Sequence, residues 1–341
     1  MPLRHGGTGF LACARDGFCG SLALEIAWIA FVGLVAGVLT GLFGFGGGWL
    51  LVPLLVLPGA MTWGYASGTA LCAILAGATG GLVQSLLGSR KNSETPLRRD
   101  WKGVGAAMAA SAVVGTVLGK TVVRDNLSGL PQASLILDLV LAVVLVLVAA
   151  RFFVGAGREV PERRRTSPAL IALAGVLAFI PGILSGLVGI GGGIFYVPVL
   201  LFILGWSEDE SRATSRLVVM ASAAVGAALY GWGGGVRFDH LAAILLPAGL
   251  AGVVTSKVGF SQSAARRRLF RRLAGGMALL ALVFTIAHVA GGSAPTRPAE
   301  RGGPGAAALA AILPILWGTA CGFVGFALRS KPPPNERRKP A

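Results

Sequence analysis

The chain has 341 residues, 54% of them hydrophobic and only 13% charged, with mean hydropathy +0.75 and a formal net charge of +16. A soluble domain carries about 25% charged residues, so the composition excludes an ordinary soluble protein and points to an integral membrane protein. Its long apolar runs, such as residues 135–153, do not alternate apolar and polar residues, which excludes a membrane β-barrel.

In chain order, the predicted helical segments are 22–43, 49–58, 66–88, 103–122, 135–154, 168–188, 194–205, 213–232, 241–259, 270–290 and 306–327. No cleavable signal is expected in the first twenty residues, which contain Arg4, Arg15 and Asp16 and no long apolar core. Most segments approach the roughly 20 apolar residues that a span needs. Two do not: 49–58 and 194–205 are too short to cross, and each follows a run of three glycines.

Those two sites carry an internal repeat. Residues 41–53 read GLFGFGGGWLLVP and residues 186–198 read GLVGIGGGIFYVP, identical at eight of thirteen positions. Gly37-Val38-Leu39-Thr40 matches Gly182-Ile183-Leu184-Ser185 at the same spacing, and Gly68-Thr69-Ala70-Leu71 lines up with Thr214-Ser215-Arg216-Leu217. Each half then holds about five segments, residues 22–155 and 166–290, with 306–327 an additional helix and 328–341 a basic, proline-rich tail.

Lys and Arg decide the orientation. If each long-plus-short pair about its glycines returns as a hairpin, 23 of the 30 Lys and Arg residues fall on one side. If each pair is one broken span, the split is even. The positive-inside bias selects the hairpin, with the N-terminus outside, the C-terminus cytoplasmic and the two halves inverted. The expected fold is thus an all-α integral membrane protein of two inverted repeats, each with a GxGGG-broken helical hairpin, plus the C-terminal helix. Paired discontinuous helices in inverted repeats are the architecture of secondary transporters.

Irregular backbone survives in a membrane only where protein or water surrounds it. Short helices starting after Gly46, Gly47 and Gly48, and after Gly191, Gly192 and Gly193, would turn free N–H groups and the positive dipole end toward the midplane, where an anion binds. The competing reading is that the glycines only allow close helix packing. Ser67, Thr69, Thr214 and Ser215 offer hydroxyls that either face an anion or bond back to their own helix. Arg216 either snorkels to the cytoplasmic edge or pairs with an oxyanion. Gln84 is a further polar lining candidate, and Asp138 and Glu25 are expected near span ends. No acid sits mid-span to line a cation path.

The same glycines are no nucleotide loop. GFGGG lacks the GxGxxG spacing, and no acid occurs between Glu25 and Glu94. Short basic clusters without aromatic interleaving read as loops facing anionic lipid, not as a nucleic-acid surface. Four scattered cysteines (Cys13, Cys19, Cys72, Cys321) and three scattered histidines form neither a disulfide framework nor a metal signature. No cofactor and no enzymatic constellation is expected.

With GLFGFGGGWLLVP, GLVGIGGGIFYVP and the following GTAL and ATSRL, residues 25–290 resemble the TauE/SafE-type sulfite exporter family, also called the toluene-sulfonate uptake permease family. The resemblance implies a multi-pass transporter of the bacterial plasma membrane whose cargo is sulfite, a sulfonate or a related anion. An anion channel on the same scaffold and a non-transporting membrane scaffold are the alternatives. The oligomeric state is left open.

Overall fold

The computed structural model describes residues 18–44, 46–56, 61–89, 101–127, 130, 132–154, 167–238, 240–257, scattered positions between 276 and 286, and 310–321. The tail at 328–341, the pair Cys13 and Cys19, and His288 lie outside the described residues, as does the side chain of Glu25. The described secondary structure is helical: α1 (Phe18–Phe43), α2 (Gly48–Val56), α3 (Trp63–Ser89), α4 (Trp101–Leu118), α5 (Ala133–Val154), α6 (Pro168–Val188), α7 (Gly193–Pro198), α8 (Glu208–Trp232), α9 (Leu241–Lys257) and α10 (Ala310–Cys321).

Two of these helices run on through π-helical turns, α4 through Gly119–Arg124 into Asp125–Leu127, and α7 through Val199–Ile203. The fourth span therefore extends past residue 122, where the apolar run alone would end it.

Among the described residues, four helical stretches are by themselves long and apolar enough to cross a membrane: Trp63–Ser85, Gly103–Leu127, Pro168–Val188 and Glu210–Trp232. Shorter apolar helices accompany them, including Ile26–Leu42 and Leu241–Ser256. On α5, Leu135, Leu139, Val143, Val146 and Leu147 are exposed while Leu137, Leu141, Val144 and Leu145 are buried. An apolar stripe left bare at helical spacing suits lipid, not water. Asp138 lies on the buried side of that helix. The protein is a multi-pass membrane protein.

Lipid offers no hydrophobic drive between helices, so small residues that let backbones touch set the contacts. On α1, Gly33, Gly37 and Gly41 recur every four residues. A Cβ at Gly33 would overlap the Ile244 carbonyl of α9, one at Gly37 the Ala248 carbonyl, and one at Gly41 would lie 2.5 Å from the Gly252 oxygen. The two numbering series rise together, so α1 and α9 run side by side in the same direction. The same contact occurs between α6 and α4. Gly182 meets the Ala112 backbone and Gly186 meets Thr116, again with both series rising.

A threonine crosses each interface to the equivalent carbonyl. Thr255 Oγ1 donates to Gly37 at 3.4 Å and Thr116 Oγ1 to Gly182 at 3.2 Å. Thus α1 is bound to a late helix of the other half, and α6 to a late helix of the first.

The core between these pairs is α3, the most enclosed span, with α8 beside it. Ser67 and Gly68, near the start of α3, lie against the Val188 carbonyl and Tyr230, whereas Gly81, near its end, touches Arg216. Since Tyr230 ends α8 and Arg216 is near its start, α3 and α8 run in opposite directions. The C-terminal helix α10 covers the remaining flank of α3: Cys72 Sγ donates to the Ala310 carbonyl at 3.4 Å, and Gly318 packs on Ala76 and Thr79. Cys72 and Cys321 are buried free thiols.

Candidate functional site

Helix α1 stops at Phe43 and helix resumes at Gly48, while α6 stops at Val188 and resumes at Gly193. The two interruptions share one backbone. Gly44, Gly46 and Gly47 have φ of 72°, 83° and 60°, and Gly189, Gly191 and Gly192 have 83°, 79° and 65°. Six left-handed residues in matching order are what the glycines supply, because a side chain in that region costs about 1–2 kcal/mol.

Each turn opens with the same bond, from Gly44 N to the Thr40 carbonyl and from Gly189 N to the Ser185 carbonyl, both at 2.9 Å. Each also starts its short helix on the equivalent carbonyl: Gly47 O accepts from Leu50 N, and Gly192 O from Phe195 N. At the first turn the chain folds back. Gly47 packs against Ala36 and Leu39, and further along Trp28 Nε1 donates to the Leu54 carbonyl at 3.0 Å, so α2 returns beside α1.

The turns meet in the middle of the protein. A Cβ at Gly48 would overlap the Ile190 carbonyl, and Gly46 and Gly191 both pack on Ile74 and Val219. Those two side chains stand near the midpoints of α3 and α8. All six residues of the two glycine triplets are buried. Among the described residues, no backbone carbonyl accepts from the N–H of Gly46, Gly47, Gly191 or Gly192. Buried N–H groups are rarely left unpaired, so these four amides remain open to an acceptor.

The sequence candidates divide according to helix phase. Ser67 reaches the second turn: its Oγ donates to Trp63 and Val188 carbonyls at 2.9 and 3.0 Å, and its Cα lies under Gly189. Ser215 reaches the first, donating to the Gly44 carbonyl at 3.0 Å. Arg216 is buried, so it does not snorkel. Its Nη2 donates to the Gly41 carbonyl at 2.5 Å and its Nη1 to Ser85 Oγ at 2.7 Å.

Thr69 and Thr214 are buried but not brought to the turns. Two residues on a helix are about 200° apart, so Thr69 is turned away from the Ser67 and Ile74 face, toward the side of Cys72 and Ala76 that α10 covers. Thr214 is likewise turned away from Arg216. Thr69 Oγ1 and both amide atoms of Gln84 are buried without a hydrogen-bond partner.

Sequence reasoning missed Arg124, Tyr196 and Tyr230. Arg124 is carried inward by the π-helical turn that prolongs α4. Its Nη1 donates to the Leu187 carbonyl at 2.5 Å and to Ser67 Oγ at 3.3 Å, and its guanidinium lies 5.3 Å from the Tyr230 ring centre. Tyr230 Oη donates to the Gly186 carbonyl at 2.8 Å. Lys120 Nζ lies 5.1 Å from the same ring centre and is ion-paired with Asp125. The Tyr196 hydroxyl closes over Gly192.

Two buried arginines therefore cap the two interrupted helices, Arg216 at the C-terminal carbonyls of α1 and Arg124 at those of α6. A cation there complements the negative end of the helix dipole. A signal existed for Arg124, as a basic residue one helical turn beyond Lys120, but the helical segment read from the sequence stops at residue 122.

Chemically the site offers unpaired amides and two guanidinium groups, with no carboxylate among those groups, a set that suits an oxyanion. Among the described residues no cluster of His, Cys, Asp and Glu could hold a metal ion. No curated protein and no solved structure matches the chain. The family model described as Sulfite exporter TauE/SafE matches residues 29–285, well over half of the sequence, and the chain belongs to that family.

Proposed function

We propose that this protein is a secondary transporter that carries sulfite, a sulfonate or a similar sulfur-containing anion across the bacterial plasma membrane by alternating access. The observation that carries the reading is the junction of the two glycine turns, where buried glycines of both turns pack on Ile74 and Val219 and four of their amides have no backbone acceptor among the described residues. The anion is bound by the N–H groups of Gly46–Gly48 and Gly191–Gly193, and Ser67, Ser215 and Arg216 brace the two turns that present them. Thr69 and Thr214 take no part, because helix phase turns them away.

The two halves, residues 22–155 and 166–290, act as inverted repeats, with 306–327 an added helix and 328–341 a cytoplasmic tail. Three observations support this. The turns share their backbone angles. The equivalent helices α3 and α8 are antiparallel. The α1–α9 and α6–α4 contacts are reciprocal, each using the glycines that match across the repeat. The Lys and Arg distribution puts the N-terminus outside and the C-terminus in the cytoplasm. Ile74 and Val219 pack on both turns at the level of the junction, which favours entry of the anion by rocking of one repeat against the other.

The test is reconstitution into proteoliposomes with labelled sulfite, sulfonates and carboxylates, with and without a pH gradient. Saturable flux of the sulfur anions that a gradient drives uphill is expected. Flux that runs only downhill, at conductance-like rates, would make the protein a channel. No flux of any anion would leave it a membrane scaffold.

A further inference from the structure

We propose that Arg124 is a second anion-contacting residue and that, with Lys120 beside it, it forms a waiting site for the transported oxyanion on the side of the glycine junction opposite Arg216. The inference rests on the transport reading above and extends it to a residue that neither the glycine repeat nor the matched hydroxyl segments contain.

The two long central helices report the same order of landmarks. Along α3, Ser67 touches Arg124, Ile74 touches both glycine turns, and Gly81 and Ser85 touch Arg216. These stations are seven residues apart, or about 10 Å each. Along α8 the order runs the other way, with Arg216 near the start, Val219 at the turns, and Tyr230 under Arg124 at the end. Arg216 and Tyr230 are fourteen residues apart, which places the two cations about 20 Å from each other along the helix axis. The arginines therefore bracket the junction, one on each approach to it. With the orientation set by the positive-inside bias, Arg216 is on the cytoplasmic approach and Arg124 on the outer one.

Arg124 is 8% exposed. Its Nη1 is engaged by Leu187 O and Ser67 Oγ, and its Nε and Nη2 have no acceptor among the described residues. No carboxylate pairs with it: the acid beside it, Asp125, is bound to Lys120. A buried guanidinium without a counter-ion is expensive, and the α6 carbonyls that face it compensate only in part. An arriving oxyanion supplies the missing charge and accepts from the fork. Both cations also lie close to the Tyr230 ring, 5.1 and 5.3 Å from its centre, which helps to hold them in place. Lys120 and Arg124, four residues apart, share one face of the π-helical turn Gly119–Arg124, and such turns concentrate at functional sites.

The test uses the full chain in sealed vesicles of both orientations, with labelled sulfite as the probe and the half-saturating concentration measured from each side. Arg124→Gln is expected to raise that concentration about tenfold from the outer side, the loss of one charge-assisted contact, with less than a twofold change from the cytoplasmic side. Arg124→Lys, which keeps the charge, should recover most of the outer-side affinity and also guards against a folding defect in the glutamine variant. Arg216→Gln should give the mirror pattern.

Equal losses from both sides in the glutamine and lysine variants would mean that Arg124 is only a helix cap, and would overturn the inference while wild-type transport stands. So would unchanged affinity in Arg124→Gln. Wild-type vesicles that move no sulfite from either side would overturn the transport reading, and the waiting site with it.

Discussion

The two glycine turns have nearly the same backbone and different supports. Residues 44–47 and 189–192 repeat their left-handed angles, their opening bonds and their helix starts. Yet the helix ahead of the first turn is capped by Arg216, which comes from the middle of the other half. The helix ahead of the second is capped by Arg124, from the end of α4 in the first half. The chain beyond each turn also differs: α2 remains α-helical through Pro53, whereas α7 passes into a π-helical turn after Pro198. Backbone geometry follows the repeat, because only glycine tolerates it cheaply. The charge that satisfies a helix end can come from any element within reach, so it need not repeat.

The largest expected effect tests whether the turns are equivalent in function. Gly47→Leu and Gly192→Leu each place a side chain at positive φ, against Leu39 in one case and the Tyr196 hydroxyl in the other. Both should reduce anion flux to background in proteoliposomes while the protein still inserts. Loss at one turn alone would break the symmetry of the site, and normal flux in both would remove the glycines from it.

Next in size are the reciprocal helix contacts. Gly37→Leu and Gly182→Leu drive a side chain into the Ala248 and Ala112 backbones. Each should destabilise the protein by about 1–3 kcal/mol, read as a lower thermal midpoint in detergent, and by similar amounts if the interfaces are equivalent.

Smaller is the pair of turn hydroxyls. Ser67→Ala and Ser215→Ala each remove a bond of about 1 kcal/mol, so a several-fold rise in the half-saturating anion concentration is expected in flux assays. Smallest is Thr69→Val. It removes a buried hydroxyl that has no partner, so flux should be unchanged and stability equal or slightly higher. A marked loss of flux would return Thr69 to the site.

Much of the helix layout was legible in the sequence. The segment expected at 168–188 is Pro168–Val188, and the one at 135–154 is Ala133–Val154, because apolar length is set by the bilayer and needs no partner to be read. The interruptions were legible for a similar reason, since three consecutive glycines cannot hide in a helix. The glycine ladder Gly33, Gly37, Gly41 was also present as a close-packing signal, but its partner helix could not be named.

The site was read only in part. Ser67 and Thr69 look alike in a string, and only the packing of α3 shows that the first faces the turn and the second faces α10. Arg124 followed an apolar run that seemed to end at residue 122, and a π-helical turn carried the helix on to Leu127.

By itself the sequence determined that this is a helical membrane protein with two matching helix breaks, because hydropathy and glycine conformational freedom act residue by residue. Only the tertiary structure decided that the breaks touch, which hydroxyls face them and which arginines cap them. Those outcomes depend on helix phase and on contacts between residues far apart in the chain, from 63 positions for Arg124 and Leu187 to 175 for Arg216 and Gly41, which local chemistry does not encode.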